Sequence, residues 1–147
     1  MNYSYSNNEP DEEKKPGVQV AREGGRAVAE GSVVMNLAAF QAFFTGSAAS
    51  SSEAWTQARL AGILAAKQAD EMVLVSHSVN ISGIEMEYTV KEEERRVTVR
   101  CDVRTVERVG AETSALVGCG MTLMVLVNSL RAMDRGMSIE SLRILRE

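Results

Sequence analysis

Two neighbouring segments alternate apolar and polar residues, and this pattern constrains the fold of the chain most strongly. The segments are IEMEYTV, residues 84–90, and VTVRCDV, residues 97–103. Strict alternation over several residues is typical of a half-buried β-strand, and the charged stretch KEEERR between the segments is typical of a turn. The sequence therefore predicts a β-hairpin with one face turned to the core.

The alternation also predicts how the two strands pair. A shift of one residue would move a whole apolar set to the opposite face of the sheet, so both sets must share one face. This requirement favours pairing of Val90 with Val97, and it places Glu87 opposite Arg100.

Before the hairpin, the pattern first predicts a short helix and a loop. Residues 36–44 are an apolar helix with Asn36 as a candidate N-terminal cap. Residues 45–53 are rich in Gly and Ser and predict a flexible loop, with Ser52 or Glu53 as an alternative start of the next helix.

Two longer helices and two flanking strands complete the predicted fold. Residues 54–70 carry Ala and Gly at helical spacing, a stripe that lets another backbone come close, and residues 111–134 form a long apolar helix. Residues 26–35 predict a broken edge strand and residues 136–147 a closing strand. The resulting order, β-α-α-β-β-α-β, is that of an α+β, ferredoxin-like fold with an antiparallel sheet and one extra helix.

The N-terminal segment differs in composition from the rest of the chain. Residues 1–17 are polar, carry two prolines and predict a disordered, mobile tail, so a single domain is expected over residues 18–147. The polar start does not resemble a signal peptide, which favours a cytoplasmic protein. The apolar helices are extensive for so small a domain and suggest a homo-oligomer.

Charge and composition argue against several partners. The net charge of −4 and the pI of about 5.2 disfavour nucleic-acid or anionic-membrane binding. The longest apolar run, Ala115 to Val127, is shorter than the ~20 residues of a membrane span. Two cysteines far apart, Cys101 and Cys119, and one histidine do not make a metal site, so buried free thiols are expected.

The stretch ARLAGILAAKQADEMVLVSHSV resembles the MoaC family, the cyclic pyranopterin monophosphate synthases of molybdenum cofactor biosynthesis. The matching positions are Arg59, Ala61, Gly62, Ile63, Ala65, Ala66, Lys67 and His77. The resemblance continues through RTVERVGAETSAL, VNSLRAMDRGM and the C-terminal strand, over residues 22–146.

The resemblance implies a ferredoxin-like fold, a hexamer built as a trimer of dimers, and active sites at subunit interfaces. It implies conversion of a cyclised dihydro-GTP into cyclic pyranopterin monophosphate with release of pyrophosphate, without a metal or other cofactor for folding. The positions that it assigns to catalysis are His77, Glu112, Asn128 and Arg131. The positions that it assigns to substrate binding are Val75, Ser76, His77, Thr113, Ser114 and Lys67.

Several of these positions depart from the family pattern. The family's two catalytic lysines fall on Ser51 and Arg131, and its catalytic aspartate falls on Asn128. Its Cys-His-Pro becomes Ser-His-Ser around His77, and its second glutamate becomes Ser114. The reaction needs groups that exchange protons near neutral pH, and serine, asparagine and arginine do not supply them, although arginine binds phosphate bidentately.

Each candidate also has an ordinary structural interpretation. His77 can be a loop histidine bonded to backbone, and Glu112 can be a carboxylate favoured by a helix dipole. Arg131 can be a solvated or interface arginine, and Lys67 and Arg59 can serve helix-surface ion pairs. The sequence leaves these alternatives open.

One geometric limit is independent of the family. If residues 112–134 form a straight helix, Glu112 and Asn128 lie about 24 Å apart at ~1.5 Å per residue. They cannot line one small pocket within a single subunit, so a site that uses both must combine subunits.

These observations lead to two hypotheses of function. The first is a divergent MoaC-like protein of molybdenum cofactor biosynthesis that binds a pterin or purine-nucleotide ligand at a subunit interface, with impaired synthase activity. The alternative is a non-catalytic structural or regulatory paralogue that assembles with itself or with an active MoaC. The sequence does not decide whether the chain is an enzyme.

Overall fold

A computed structural model of the chain describes residues 2–6, 24–44, 48–72 and 79–145. The elements in chain order are β1 (Asn2–Ser6), β2 (Gly25–Val34), α1 (Leu37–Phe44), α2 (Ala48–Met72), β3 (Ile81–Lys91), β4 (Arg96–Thr105), α3 (Ala111–Leu130) and β5 (Ile139–Ile144). A single 3-10 turn, Glu92–Glu94, joins β3 to β4.

The strands form one antiparallel sheet in the order β1-β3-β4-β2-β5. Without β1, two split β-α-β units interlock, because β4 lies between β2 and β3 and β2 lies between β4 and β5. The helices α2 and α3 cover one face of this sheet, and α1 is the extra helix. The α+β, ferredoxin-like class and the order of elements are confirmed.

The hairpin forms in the predicted register. Val90 pairs with Val97, and Glu87 pairs with Arg100. The apolar set faces the helices, where Met86 and Val99 are fully buried. Arg95 closes the turn with φ 53°, the left-handed conformation that a tight reversal needs.

The prediction that residues 26–35 form an edge strand is wrong. β2 pairs with β4 on one side and with β5 on the other, so it lies inside the sheet. Gly31 weakens its apolar pattern, but it marks a close approach, because a Cβ there would lie 2.6 Å from Leu123 Cδ1 and 3.3 Å from Leu142 Cα.

The N-terminal segment also differs from the expected tail. Asn2–Ser6 form β1, which pairs with β3 from Asn2 opposite Glu87 to Ser6 opposite Gly83. The edge of β3 offers unpaired backbone donors and acceptors, and a short polar segment can use them without an apolar signal of its own. The rest of the expected tail, residues 7–17, lies outside the described residues.

The helix boundaries are close to prediction at most ends. Asn36 caps α1 as predicted, since its Oδ1 accepts a hydrogen bond from the backbone N–H of Ala39 at 2.9 Å. α2 begins at Ala48, so the predicted loop is helical from that residue onward. α3 ends at Leu130 and continues as a turn.

The small residues of α2 and α3 let the two helices approach closely. Gly62 stands against Gly118 and Thr122, while the Cβ of Ala66 stands against Gly118. Thr122 Oγ1 donates a hydrogen bond to the carbonyl of Gly118 at 2.9 Å, which satisfies this buried hydroxyl within its own helix. The predicted small-residue stripe is therefore the helix–helix contact.

α3 is the central helix of the core, although it is apolar over its whole length. In the described part of the chain it alone has the length and composition to cross a bilayer, a property that core helices of soluble proteins share. Its residues Ala115, Cys119, Leu123 and Leu126 are fully buried. Half of the helix is buried, and only four of its residues are exposed.

Both cysteines are buried, as expected. Burial is the main cause that raises the pKa of Cys101 far above its ordinary value and that of Cys119 to about 12. The thiolate is the reactive form, so neither side chain is activated as a nucleophile.

Adding a methyl group at Gly62 tests the helix contact. A Cβ there would collide with Thr122 Oγ1 and lie 2.7 Å from the carbonyl oxygen of Gly118. We expect Gly62→Ala to destabilise the fold by about 1–3 kcal/mol in urea denaturation, although alanine is the better helix former. Gly120→Ala is the matched control, because its Cβ meets only Leu142 Cδ2, at 3.3 Å, and its stability should stay equal or rise. Equal losses in both variants would contradict this contact.

Candidate functional site

The antiparallel packing of α2 and α3 divides the site candidates between two ends of the domain. Gly62 of α2 meets Gly118 and Thr122 of α3, whereas Gln57 shares a cleft with Ser129. The end of α2 therefore lies beside the start of α3, and the start of α2 beside the end of α3. We call these the Glu112 end and the Asn128 end.

The Glu112 end contains the three predicted binding residues that the structure describes. Glu112 is exposed in the first turn of α3, where the helix dipole favours a carboxylate. Thr113 is half-buried and Lys67 of α2 is exposed, but Ser114 is 2% exposed, which withdraws its hydroxyl from the surface of the single chain. Val75, Ser76 and His77 lie outside the described residues, so their predicted roles stay predictions.

Two carboxylates fix the backbone around the Glu112 end. Asp70 Oδ2 accepts a hydrogen bond from the backbone N–H of Val79 at 3.0 Å. Glu107 accepts one from the backbone N–H of Asn80 at 3.0 Å and one from Asn80 Nδ2 at 2.8 Å. Together they fasten the start of β3 to the end of α2 and to the segment after β4.

A glycine also helps to fix the backbone around the Glu112 end; together with Asp70 and Glu107 we call it the frame of this end. Gly110 precedes α3 with φ +99°, and a Cβ there would collide with the side chain of Val79. Sequence reasoning did not identify Asp70, Glu107 or Gly110 as part of the site. The one available signal was a glycine directly before a long helix, which is typical of a tight turn.

The Asn128 end presents an amide and a guanidinium. Asn128 and Arg131 are both exposed, and the N–H of Arg131 bonds to the carbonyl of Asn128 at 3.5 Å. Position 51 lies in the first turn of α2, at the same end. A cleft of about 290 Å³ lies alongside; its lining residues are Ala42, Glu53, Ala54, Gln57, Ser129, Leu130 and Met133.

A hydrogen-bond network holds the turn that carries Arg131. Asp134 Oδ2 accepts from the backbone N–H of Asn36 at 2.7 Å, and Asp134 Oδ1 accepts from that of Gly136 at 2.8 Å. Asn36 Nδ2 donates to the carbonyl of Met133 at 2.9 Å. These hydrogen bonds hold the end of α3 against the start of α1, and they fix the backbone of the turn that carries Arg131.

The described side chains limit the chemistry of each end. Asn128 is an amide and Arg131 a guanidinium, so the Asn128 end offers hydrogen bonds and positive charge. Glu112 supplies a carboxylate at the other end. Among residues 24–44, 53–72 and 79–145, no group of three His, Cys, Asp or Glu side chains comes together as a metal site.

The two ends do not form one pocket within the chain. α3 runs without interruption over Ala111–Leu130, so Glu112 and Asn128 lie about 24 Å apart at ~1.5 Å per residue. Each end is therefore at most half of a site that uses both.

Removing the Glu107 carboxylate tests the frame of the Glu112 end. We expect Glu107→Ala to speed amide hydrogen exchange of Asn80 about tenfold, because hydrogen bonds to a charged acceptor are lost. Glu85→Ala is the control, since it removes an exposed carboxylate from β3 and should leave this amide unchanged. Unchanged exchange in Glu107→Ala would show that the anchor does not hold Asn80.

Comparison with known proteins points to one family. A model described as the MoaC family matches residues 18–147. The chain is 33% identical over 88 residues to the cyclic pyranopterin monophosphate synthase of Trichlorobacter lovleyi, a match that covers 60% of this chain and 55% of that protein.

Two further relatives carry the same name. The protein of Heliobacterium modesticaldum is 29% identical over 118 residues, 80% of this chain and 74% of its own length. That of Thermomicrobium roseum is 30% identical over 119 residues, 81% and 71% of the two lengths. The match therefore spans little more than half of the first relative and nearly three quarters of the other two.

Proposed function

Because this chain belongs to the MoaC family, we propose that it acts in molybdenum cofactor biosynthesis as a binding protein. Its ligand is a pterin or purine nucleotide that carries phosphate, held where two subunits meet in the cytoplasm. The observation that supports this proposal best is the exposed pair Asn128 and Arg131. These two side chains can bind an anionic ligand, but they cannot act as the acid or base that exchanges protons with it.

Arg131 supports phosphate as the recognised group. A guanidinium presents a planar fork of N–H donors that matches two oxygens of a phosphate or diphosphate. Three residues earlier, Asn128 adds an amide NH2 group that donates and a carbonyl oxygen that accepts. A ligand that carries diphosphate on a heterocycle satisfies this set, and the family's reaction releases pyrophosphate.

The same residues argue against efficient synthase chemistry. The reaction that the relatives' name implies rearranges a purine nucleotide, which requires acids and bases with pKa values near the working pH. A buried lysine can reach such a pKa, whereas arginine cannot. With Ser51, Asn128 and Arg131 at the replaced positions, Glu112 is the one described carboxylate that remains of that set.

The separation of the two ends supports a site between subunits. A ligand of nucleotide size cannot span the distance from Glu112 to Arg131 along α3. A site that uses both residues therefore needs the Glu112 end of one chain beside the Asn128 end of a second chain. The hexamer expected for the family supplies such junctions and belongs to this proposal.

Binding of inorganic pyrophosphate tests the role of Arg131. We expect Arg131→Ala to weaken binding about 10-fold or more in calorimetry, because charge-assisted hydrogen bonds are lost, and Arg131→Lys to weaken it less. Arg104→Ala is the matched control, since Arg104 is also an exposed arginine and lies on the face of the sheet opposite the helices. If Arg131→Ala and Arg104→Ala lose the same affinity for pyrophosphate, the effect comes from net charge alone, and the proposed site is overturned.

Turnover tests the loss of catalysis. Purified protein supplied with cyclised dihydro-GTP should release little pyrophosphate or pterin product, alongside an active family member and His77→Ala as controls. The triple variant Ser51→Lys, Asn128→Asp, Arg131→Lys should gain activity, because it restores the proton-exchanging groups. Turnover by the unchanged chain at the rate of the active family member would overturn the proposal of a binding protein.

A second candidate is a structural or regulatory paralogue that assembles with itself or with an active MoaC. The burial of Ser114 favours it, because one predicted ligand contact is withdrawn from the surface. This candidate predicts no pyrophosphate binding, together with stable co-purification with an active family member.

A further inference from the structure

A groove of about 1030 Å³ lies between α1 and the tip of the β3–β4 hairpin. Its apolar lining comes from Leu37, Phe40 and Phe44 of α1 and from Val90 of β3. The hairpin tip, Lys91–Arg95, lines it from the other side. We call it the tip groove. It contains none of the candidate site residues described above.

The aromatic side chains of the tip groove pack on buried aromatic residues. The ring centre of Phe44 lies 4.9 Å from that of Phe40 and 4.6 Å from that of the buried Phe43. Phe43 meets Tyr88 edge-on at 5.5 Å, and Tyr88 meets the buried Trp55 at 4.7 Å. Ring contacts at these distances are favourable and directional. The tip groove is therefore a preformed apolar surface.

The strand that lines the tip groove has an open edge. β1 pairs with β3 only over Gly83–Glu87, whereas β3 continues to Lys91. On that side, no strand among the described residues pairs with Tyr88–Lys91. Unpaired backbone N–H and C=O groups at a sheet edge are a template for a further strand. The apolar surface and the open edge thus occur at the same end of β3.

The hairpin tip leaves two carboxylates without a partner. Arg96 Nε donates a hydrogen bond to Glu94 Oε1 at 2.7 Å, and Arg95 Nε donates one to a backbone carbonyl before α1 at 2.9 Å. Glu92 and Glu93 are exposed, and with the described residues their side chains make no hydrogen bond or ion pair. They are available to a basic group from outside.

Lys91 does not neutralise these two carboxylates. Side chains alternate along a strand, so Lys91 points to the face of the sheet opposite Val90. The hydrogen bond from Arg96, and to a smaller extent the charge of Lys91, hold the pKa of Glu94 below its ordinary value. The positive charge of Lys91 is thus directed to a carboxylate that already has a partner.

We propose that the tip groove binds an extended, basic segment of a partner protein, which adds as an antiparallel strand to the open edge of β3 at Tyr88–Lys91. Every second side chain of such a segment points to one face, so an apolar set packs on Leu37 and Phe40. A lysine or arginine of the segment reaches Glu92 and Glu93. The partner is defined by alternating apolar and basic residues.

A second copy of this chain fits the tip groove less well. Its net charge is −4, which opposes approach to the two free carboxylates. Among the described strands, β5 is the other edge of the sheet, and its pairing with β2 shifts register between Glu30 and Ser32. Ser141 of β5 also has φ 60°. Such irregular edges are poor templates for a further strand.

A synthetic peptide tests the chemistry of the partner. The probe alternates valine and lysine over about eight residues, the length of an ordinary strand, and its binding to the full chain is read by fluorescence anisotropy. We expect it to bind at least about 10-fold more tightly than the same peptide with glutamate in place of lysine, because only the lysines pair with the tip. Equal affinities, or no binding of the lysine peptide, would overturn the proposal.

Charge reversal tests the two carboxylates. The double variant Glu92→Lys, Glu93→Lys should weaken binding of the valine–lysine peptide about 10-fold or more. The double variant Glu71→Lys, Glu85→Lys is the matched control, because it changes net charge equally at exposed positions outside the tip groove. Equal losses in both double variants would reduce binding to net charge and contradict the site.

An exposed leucine tests the apolar contact. Leu37→Gln should weaken peptide binding, whereas Leu60→Gln should not, although the two leucines are 57% and 53% exposed. Circular dichroism verifies that both variants fold. Sedimentation of the same variants detects a second copy in the tip groove. A change of oligomeric state in Leu37→Gln alone would show self-association there and overturn the proposed partner.

Backbone methylation of the peptide tests strand pairing. Residues of an antiparallel strand direct their N–H groups alternately toward and away from a neighbouring strand. Methylating the nitrogens of the valines alone, or of the lysines alone, therefore blocks one edge at a time. We expect one methylated peptide to lose binding about 10-fold or more and the other to retain it. Equal affinities of the two would contradict the added strand. None of these readouts depends on pyrophosphate binding, so this proposal and the proposed function can fail separately.

Discussion

The close contact of α2 with α3 is the constraint on which the rest of the structure depends. Gly62 and Gly118 remove the side chains that would hold the two helices apart, and each glycine costs its helix about 1 kcal/mol of intrinsic stability relative to alanine. Packing against the sheet and against each other offsets this cost. Because the helices are held side by side and antiparallel, their ends are fixed in space, and the described candidate site residues lie on these helices or directly after α3.

Much of the fold could be predicted because local periodicity decides it. The hairpin register followed from alternation alone, and the helix contact followed from small residues at helical spacing. The place of β2 within the sheet could not be predicted, because central and edge strands differ in partners that lie far away in the sequence. Gly31 also obscures the strand pattern. Leu123 and Leu142 approach so closely that they leave no room for a side chain at this position, and the apolar alternation is interrupted there.

The candidate site was predictable to a smaller extent. The positions Glu112, Asn128 and Arg131 came from a resemblance, and the helix rise alone placed the first two at opposite ends of α3. The anchors Asp70 and Glu107 could not be found in this way. Their hydrogen bonds join a carboxylate to a backbone N–H 9 and 27 positions away, and neither bond leaves a periodic trace in the sequence.

The positions that depart from the family pattern, among the described side chains, differ in burial. Asn128 and Arg131 are exposed, so the packing of the single chain does not determine which side chain stands there, whereas Ser114 is buried and must fit its neighbours. At an exposed position, contacts outside the domain restrict the choice of side chain more than the packing of the core does. An arginine that follows a long helix carries a fixed charge and a fork of N–H donors, which an anion or a carboxylate satisfies. The Asn128 end therefore presents hydrogen-bonding groups and a positive charge at the surface of the single chain.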